Sequence, residues 1–171
     1  AGGSPPKPVS QTSSREFEMA LRFNVTTAFE MSRICAPLMV DSADGGNILN
    51  ISSIAGHKPA PCFAAYGTAK GALSYLTREL AQEFAPRVRV NAIAVGSTRT
   101  DALNTVLTDE IEQTMVELTP MARLGEVEDI ALGALYLCSN AASYVTGDIL
   151  CVNGGMERLN MQMPRAWGGS G

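Results

Sequence analysis

Residues 46–85 constrain the fold most strongly, because a strand, a loop and a helix follow one another within them. The mostly apolar run GNILNI at residues 46–51 predicts a strand, and it ends in Ser52 and Ser53 before a loop with two prolines. From Phe63 onward, apolar residues recur with helical spacing until close to Pro86. The pattern therefore predicts a strand that carries a serine hydroxyl to its end, followed by a helix.

Tyr66 and Lys70 occupy positions i and i+4 of that predicted helix. They lie on one face, roughly 6 Å apart along the helix axis. An ammonium near a phenol stabilises the phenolate, so we expect a Tyr66 pKa below the usual value of about 10 and a role for this residue as general acid or base. Spacing alone leaves open that the two residues are ordinary neighbours on a helix surface.

The remaining elements alternate between helix and strand. Ser13 and Glu16 form a predicted capping box that opens a helix extending to about Val40. The run VRVNAIAV at residues 88–95 is typical of a buried parallel strand, and a helix at residues 126–138 precedes a last strand at residues 148–152. This alternation predicts an α/β fold.

Two further patterns concern single segments. The first predicted helix carries a stripe on which Asn24 is the one polar residue, and its members are Phe17, Leu21, Asn24, Ala28, Met31 and Leu38. Residues 101–124 contain a short helix with Asp109 as predicted N-cap and Glu112 at the third position, and this segment is rich in leucine, valine and methionine.

Composition excludes several function classes. The 171 residues are 46% hydrophobic with a net charge of −4, which predicts one soluble domain and no nucleic-acid partner. Neither a signal region nor a membrane-spanning run is present, and a cytoplasmic location is expected. The four cysteines form no C-x-x-C and the single histidine is His57, so we expect free thiols and no metal site.

The spacing of Ser53, Tyr66 thirteen residues later and Lys70 four residues further resembles the short-chain dehydrogenase/reductase family. This resemblance implies a Rossmann-like doubly wound parallel sheet and an oxidoreductase that uses NAD or NADP, with NAD the first expectation. It implies that Ser53 hydrogen-bonds the substrate oxygen and that Tyr66 transfers the proton. Lys70 is then expected to tune Tyr66 and to hold the nicotinamide ribose.

Other site residues also follow from the resemblance. Asn24 matches a helical asparagine that holds a water against the lysine, and Gly2 matches the end of an Asn-Asn-Ala-Gly element beside the cofactor. Gly96 and Thr100 match a Pro-Gly-x-x-x-Thr motif that binds the nicotinamide carboxamide, with Thr98 in the same turn. Val95 replaces the proline of that motif, which removes a fixed φ and loosens the turn.

The resemblance covers residues 1–158, with a lid over the substrate at about residues 101–124. Residues 159–171 form a tail, of which residues 168–171 look like a linker. The local sequences TDAL at residues 100–103 and RLG at residues 123–125 are most similar to those of 7α-hydroxysteroid dehydrogenases. We expect the substrate to be an apolar secondary alcohol or ketone, with a steroid among the candidates. We also expect a homo-oligomer, a dimer or tetramer built on the two long helices.

The sixteen glycines contain no G-x-G-x-x-G and no P-loop, although a dinucleotide site needs such a turn. We therefore expect the chain to lack the amino-terminal strands and the phosphate-binding turn, and to be inactive alone. One alternative is an inactive fragment that only associates through its helices. A remote alternative is a serine hydrolase using Ser53 and His57, but the sequence has no G-x-S-x-G elbow.

Overall fold

A computed structural model gives the fold and describes residues 5–42, 45–105 and 107–163. One parallel sheet has the order β1, β2, β3, formed by Gly46–Ser53, Val88–Val95 and Ile149–Val152. The helices are α1 Ser14–Leu21, α2 Thr27–Val40, α3 Ala64–Phe84, α4 Asp101–Asn104, α5 Asp109–Glu117 and α6 Val127–Cys138. Short 3-10 helices are Val9–Gln11, Ile54–Gly56 and Asn140–Ala142. The predicted α/β class is confirmed, and the predicted strand bounds at residues 88 and 95 are those observed.

Helices cover both faces of the sheet. On one face, Leu80 of α3 packs with Val88 and Val90 of β2. On the other face, Leu137 of α6 packs with Ile93 of β2. Because successive side chains of a strand point to opposite faces, the even-numbered residues of β2 meet α3 and the odd-numbered ones meet α6. Both faces are apolar, as expected for parallel strands.

The capping box at the start of α1 is confirmed. The Glu16 amide donates to Ser13 Oγ at 3.3 Å, and the Ser13 amide donates to the Glu16 carboxylate at 2.8 Å. Lys7 Nζ also lies 2.6 Å from Glu16 Oε1. Hydrogen bonds from Lys7 first and Ser13 second lower the pKa of Glu16 to about 2. The cap thereby ties the chain before α1 to the helix.

The apolar stripe predicted for the first long helix is wrong in the part that forms α2, where Met31 is 61% and Leu38 is 72% exposed. A π-helical segment at Arg22–Thr26 separates α1 from α2. Its wider turn takes up an extra residue, so the buried face continues through Ser32 and Ala36 instead. Hydrophobic spacing at a constant 3.6 residues per turn could not register this change of phase.

Two boundaries differ by one residue from the sequence expectation. Thr108, not Asp109, is the N-cap of α5, and Thr108 Oγ1 accepts from the Ile111 amide at 3.3 Å. Glu126 is the N-cap of α6 and forms a capping box with Asp129. Gly2, residue 106 of the predicted lid and residues 164–171 of the predicted tail lie outside the described part of the chain. Within the described part, no helix has the length and apolarity to cross a membrane.

Candidate active site

Ser53 lies where β1 ends, as the sequence predicted. It is the N-cap of the 3-10 turn Ile54–Gly56, and its Oγ accepts a hydrogen bond from the Ala55 amide at 3.2 Å. The same hydroxyl lies 3.5 Å from the Val95 carbonyl of the neighbouring strand. Because the carboxyl ends of adjacent parallel strands meet at one edge of a sheet, Ser53 stands at the edge where ligands of α/β folds bind.

Tyr66 lies in the first turn of α3, near the Ser53 hydroxyl. Burial raises the pKa of Tyr66 above its usual value, and the Ser53 hydroxyl lowers it by less. The predicted lowering of this pKa by Lys70 is therefore wrong for the described chain. The phenol is protonated at neutral pH and can donate its proton.

Lys70 is almost completely buried, with 2% of its surface exposed. Its Nζ donates to the Ile51 carbonyl of β1 at 2.7 Å and lies 5.7 Å from the centre of the Tyr66 ring. Burial lowers the pKa of Lys70 to about 8. The ammonium is thus directed to the strand backbone, and it contacts the face of the Tyr66 ring within cation–π range.

A buried hydroxyl pair, which the sequence reasoning missed, joins α3 to β1. Ser52 Oγ and Ser74 Oγ lie 2.7 Å apart, and each donates to the Lys70 carbonyl, at 3.0 and 3.1 Å. Serines facing each other across a helix–sheet contact give no local sequence signal, because 22 residues separate them. The pair fixes the register between the helix that carries Tyr66 and the strand that carries Ser53.

His57 completes this network from the loop after β1. Its Nε2 lies 3.0 Å from Ser74 Oγ. Burial first, then the charges of Arg78 and Lys58, lower the pKa of His57. Ser53 instead bonds to Ala55 and Val95 in the described part of the chain, so the Ser53–His57 pair that a serine hydrolase needs is not made.

Asn24 is brought to the same cavity as Tyr66, in the π-helical segment. It is 6% exposed and its Nδ2 donates to the Ala20 carbonyl at 2.9 Å. The cavity has a volume of about 300 Å³, and Pro5, Lys7 and Cys62 contribute to its wall. A π-helical turn is frequent at functional sites, and here it turns the asparagine toward the cavity that Tyr66 lines.

The turn predicted to bind the cofactor, residues 96–100, follows β2 and is called the cofactor turn below. The Gly96 amide donates to the Val152 carbonyl at 2.9 Å, and a side chain at this position would meet Asn153 Cα at 2.6 Å, so only glycine fits the close approach. Thr98 is buried and its Oγ1 donates to the Gly96 carbonyl at 3.3 Å. Thr100 is exposed and caps α4, accepting from the Leu103 amide at 3.3 Å. The turn is held without the proline that Val95 replaces.

A second cavity, of about 530 Å³, lies between the predicted lid and the carboxyl-terminal segment. Its polar lining includes Glu110, Thr114 and Gln162. The apolar part of its lining is made by Pro6, Leu103, Ile111, Met115, Met161 and Met163. Pro5 and Lys7, the sequence neighbours of Pro6, line the cavity that contains Tyr66. One short segment therefore contributes to the walls of both cavities.

The predicted lid is connected to the predicted cofactor turn by ion pairs. Arg99 forms a two-pronged ion pair with Glu112 of α5, with Nη1 and Oε2 at 3.3 Å. Its Nε also lies 3.3 Å from Glu126, the N-cap of α6. The segment that leaves β2 is therefore connected to both following helices.

No cluster of three or more histidine, cysteine, aspartate or glutamate side chains in residues 5–42, 45–105 and 107–163 could hold a metal ion. All four cysteines are described and carry no disulfide. The chemistry available at the site is therefore that of a serine hydroxyl, a phenol and an ammonium at the carboxyl edge of a parallel sheet.

The known proteins that are similar to this chain include oxidoreductases. A family model described as enoyl-(acyl carrier protein) reductase matches residues 1–157. An uncharacterised oxidoreductase of Mycobacterium tuberculosis (strain CDC 1551 / Oshkosh) is 46% identical over 95% of the chain and 62% of its own length. The 7alpha-hydroxysteroid dehydrogenase of Escherichia coli (strain K12) is 44% identical over 94% of the chain and 63% of its own length.

Among solved structures, a 7 alpha-hydroxysteroid dehydrogenase complexed with NADH and 7-oxo glycochenodeoxycholic acid is similar to the chain, with a TM-score of 0.85 and 44% identity. The match covers 91% of this chain and 60% of that one. The chain thus spans about three fifths of the length of these relatives.

Proposed function

The chain belongs to the short-chain dehydrogenase/reductase family, and on that premise we propose that it carries the proton-transfer site of an enzyme that interconverts a secondary alcohol and a ketone with a nicotinamide cofactor. The observation that carries this proposal is the convergence of three groups at one edge of the sheet. The Ser53 hydroxyl is near enough to the Tyr66 phenol to lower its pKa, and the Lys70 ammonium lies 5.7 Å from the Tyr66 ring.

The proposed roles follow from the state of each group. Tyr66, a protonated phenol whose pKa burial raises further, donates its phenolic proton to the carbonyl oxygen of a ketone. The Ser53 hydroxyl donates a hydrogen bond to the same oxygen. The product is the secondary alcohol, and the phenolate recovers its proton from solvent. Asn24, in the wall of the same cavity, is proposed to hold a water on that route.

The described residues fit a nicotinamide cofactor at the carboxyl edge of β1 and β2. When bound, the reduced cofactor supplies the hydride that the ketone carbon receives. Lys70 is proposed to hold its ribose, and Gly96, Thr98 and Thr100 are proposed to bind its carboxamide. Gly2, which is outside the described residues, is proposed to lie beside the cofactor. NAD(H) is the first proposal because a structure 44% identical to this chain was solved with NADH, and NADP(H) is the alternative.

The proposed substrate is apolar and bulky, with a steroid as the leading candidate. The second cavity supports this choice, because leucine, isoleucine and methionine side chains form much of its wall. The similarity to 7alpha-hydroxysteroid dehydrogenases points the same way. A volume of about 530 Å³ is in the range of small-molecule sites.

We also propose that the protein is a homo-oligomer that associates through its long helices. Exposed apolar side chains of α2 support this proposal, since Met31, Ile34 and Leu38 are each more than half exposed. Contiguous apolar surface of this kind commonly marks an interface with another protein chain.

The test uses residues 1–171 preceded by the amino-terminal region of the E. coli 7alpha-hydroxysteroid dehydrogenase, called the extended chain below. Tyr66→Phe is expected to lower kcat by about 10² to 10⁴, as for other general acid–base groups, while NADH binding measured by fluorescence persists. Tyr75→Phe is the matched control, because Tyr75 lies on the same helix and is 62% exposed. Near-normal turnover of the Tyr66→Phe variant would show that the proton carrier is another group.

A further inference from the structure

Asn160 is a buried amide that joins three separate parts of the chain. It is 1% exposed, and its Oδ1 accepts from Ser97 Oγ at 2.6 Å. Its Nδ2 donates to the Met115 carbonyl at 3.1 Å and to Thr119 Oγ1 at 2.9 Å. Ser97 belongs to the turn after β2, whereas Met115 and Thr119 lie in and just after the lid helix α5. The amide therefore docks the carboxyl-terminal segment onto both.

This anchor is specific in position because Asn160 and two of its three partners are buried. Met115 is 1% and Thr119 is 4% exposed, so a shift of Asn160 would leave its own amide without partners away from water. Networks in which each polar group is satisfied fix one arrangement of the elements they connect. The residues that follow Asn160 are thus held at a defined place against the lid.

The next described residues form one wall of the second cavity. Met161 and Met163 line it on the side of the carboxyl-terminal segment, and Leu103, Ile111 and Met115 line it on the side of the lid. Methionine side chains are unbranched and polarisable, which lets them adapt to the shape of a large apolar ligand. The wall that Asn160 positions is therefore apolar and adaptable.

We propose that residues 160–163 form a specificity-determining wall of the substrate site, in which Asn160 is the positioning residue and Met161 and Met163 contact the apolar body of the substrate. This inference rests on the proposed function and assigns the part of the chain that selects bulky substrates. Tyr66 and the segment from Pro5 to Lys7 mark the end of the site where the reacting oxygen lies. Met161 and Met163 do not line the cavity that contains Tyr66, so a small alcohol bound beside Tyr66 is expected to leave them untouched.

The experiment compares two substrates in the extended chain. Met161→Ala and Met163→Ala are each expected to lower kcat/KM for a 7α-hydroxysteroid about tenfold, mainly through KM, because apolar contact with the bound substrate is lost. Oxidation of propan-2-ol is expected to stay within about twofold. Met121→Ala is the matched control, since Met121 is 62% exposed and does not line this cavity.

Asn160→Asp tests the anchor separately. The carboxylate keeps the acceptor for Ser97 and loses the donor for Met115 and Thr119, so the same selective loss on the steroid is expected. Thr119→Val removes only one of these partners and is expected to give a smaller loss of the same kind. A merely structural role would lower the rates on both substrates together.

Steroid binding by calorimetry separates this inference from the proposed reaction. Equal losses on steroid and propan-2-ol, or a wild-type protein that binds no steroid, would overturn the inference. Steroid binding that weakens in Met161→Ala and Met163→Ala without any turnover in the wild type would support the wall and overturn the proposed reaction.

Discussion

The ammonium of Lys70 donates a 2.7 Å hydrogen bond to the backbone carbonyl of Ile51, two residues before Ser53 on β1. The Lys70 carbonyl in turn accepts from Ser52 Oγ at 3.0 Å. The lysine is therefore tied to consecutive strand residues at both its backbone and its side-chain end. This double connection sets the distance between the strand that ends in Ser53 and the helix that carries Tyr66.

The burial of Lys70 leads to a prediction about pH. Burial lowers the Lys70 pKa from 10.5 to about 8, so above pH 8 the folded chain has released a proton that the unfolded chain keeps up to about pH 10.5. Unfolding then takes up a proton, and the free energy of unfolding of the extended chain is expected to rise from pH 8 to pH 10 by up to about 3 kcal/mol.

Lys70→Met is the control for this rise, because it keeps the length of the side chain and removes its charge. Urea unfolding at several pH values gives the difference in unfolding free energy between the two proteins. As the pH rises above 8, the free energy of unfolding of the protein with Lys70 should increase relative to that of the Lys70→Met variant. A difference that does not vary with pH would mean that the lysine keeps an ordinary pKa in the folded state.

A second prediction concerns the ion pairs that connect the cofactor turn to the lid. Arg99→Gln removes the contacts with both Glu112 and Glu126, so α5 is held less firmly over the second cavity. The Arg99 side chain is 39% exposed, which limits the effect to a rise of about two- to fivefold in KM for a steroid, with little change in kcat.

Glu112→Gln should give an equal or smaller rise, because it leaves the contact of Arg99 with Glu126, and the double variant should be no worse than Arg99→Gln alone. Arg33→Gln breaks the exposed pair with Glu30 inside α2 and serves as the control. Fully additive losses in the double variant would mean that the two residues act independently.

A third prediction concerns the 171-residue chain by itself. In the described sheet β1 is an edge strand, and Ile51 is 38% exposed. Unpaired strand edges and uncovered apolar faces recruit other chains, and the sequence has no glycine-rich phosphate-binding turn. The chain alone is expected to self-associate and to bind neither NAD(H) nor NADP(H).

Size-exclusion chromatography and calorimetry with each dinucleotide check this expectation, with the extended chain as the positive control. A monodisperse 171-residue chain that binds a dinucleotide at micromolar concentration would contradict it. Retention of Lys70 and Thr100 is not expected to rescue affinity, because the roles proposed for them are at the nicotinamide end of the cofactor and leave the phosphates without donors.

Local sequence patterns determined much of this protein. The capping box of Ser13 and Glu16, the strand from Val88 to Val95 and the placement of Ser53 at a strand end could all be predicted. Each depends on residues within a few positions of one another, where backbone geometry repeats with a known period. The spacing of Ser53, Tyr66 and Lys70 likewise indicated the family before any tertiary contact was known.

Tertiary structure decided the features that depend on neighbours distant in sequence. The raised pKa of Tyr66 follows from burial, and the hydrogen bond of Lys70 to Ile51 follows from how α3 packs on β1. The exposure of Leu38 follows from a π-helical turn that a constant helical period does not register. Asn160 carried no signal in the sequence, because its three partners lie 41 to 63 residues away and are assembled only by packing.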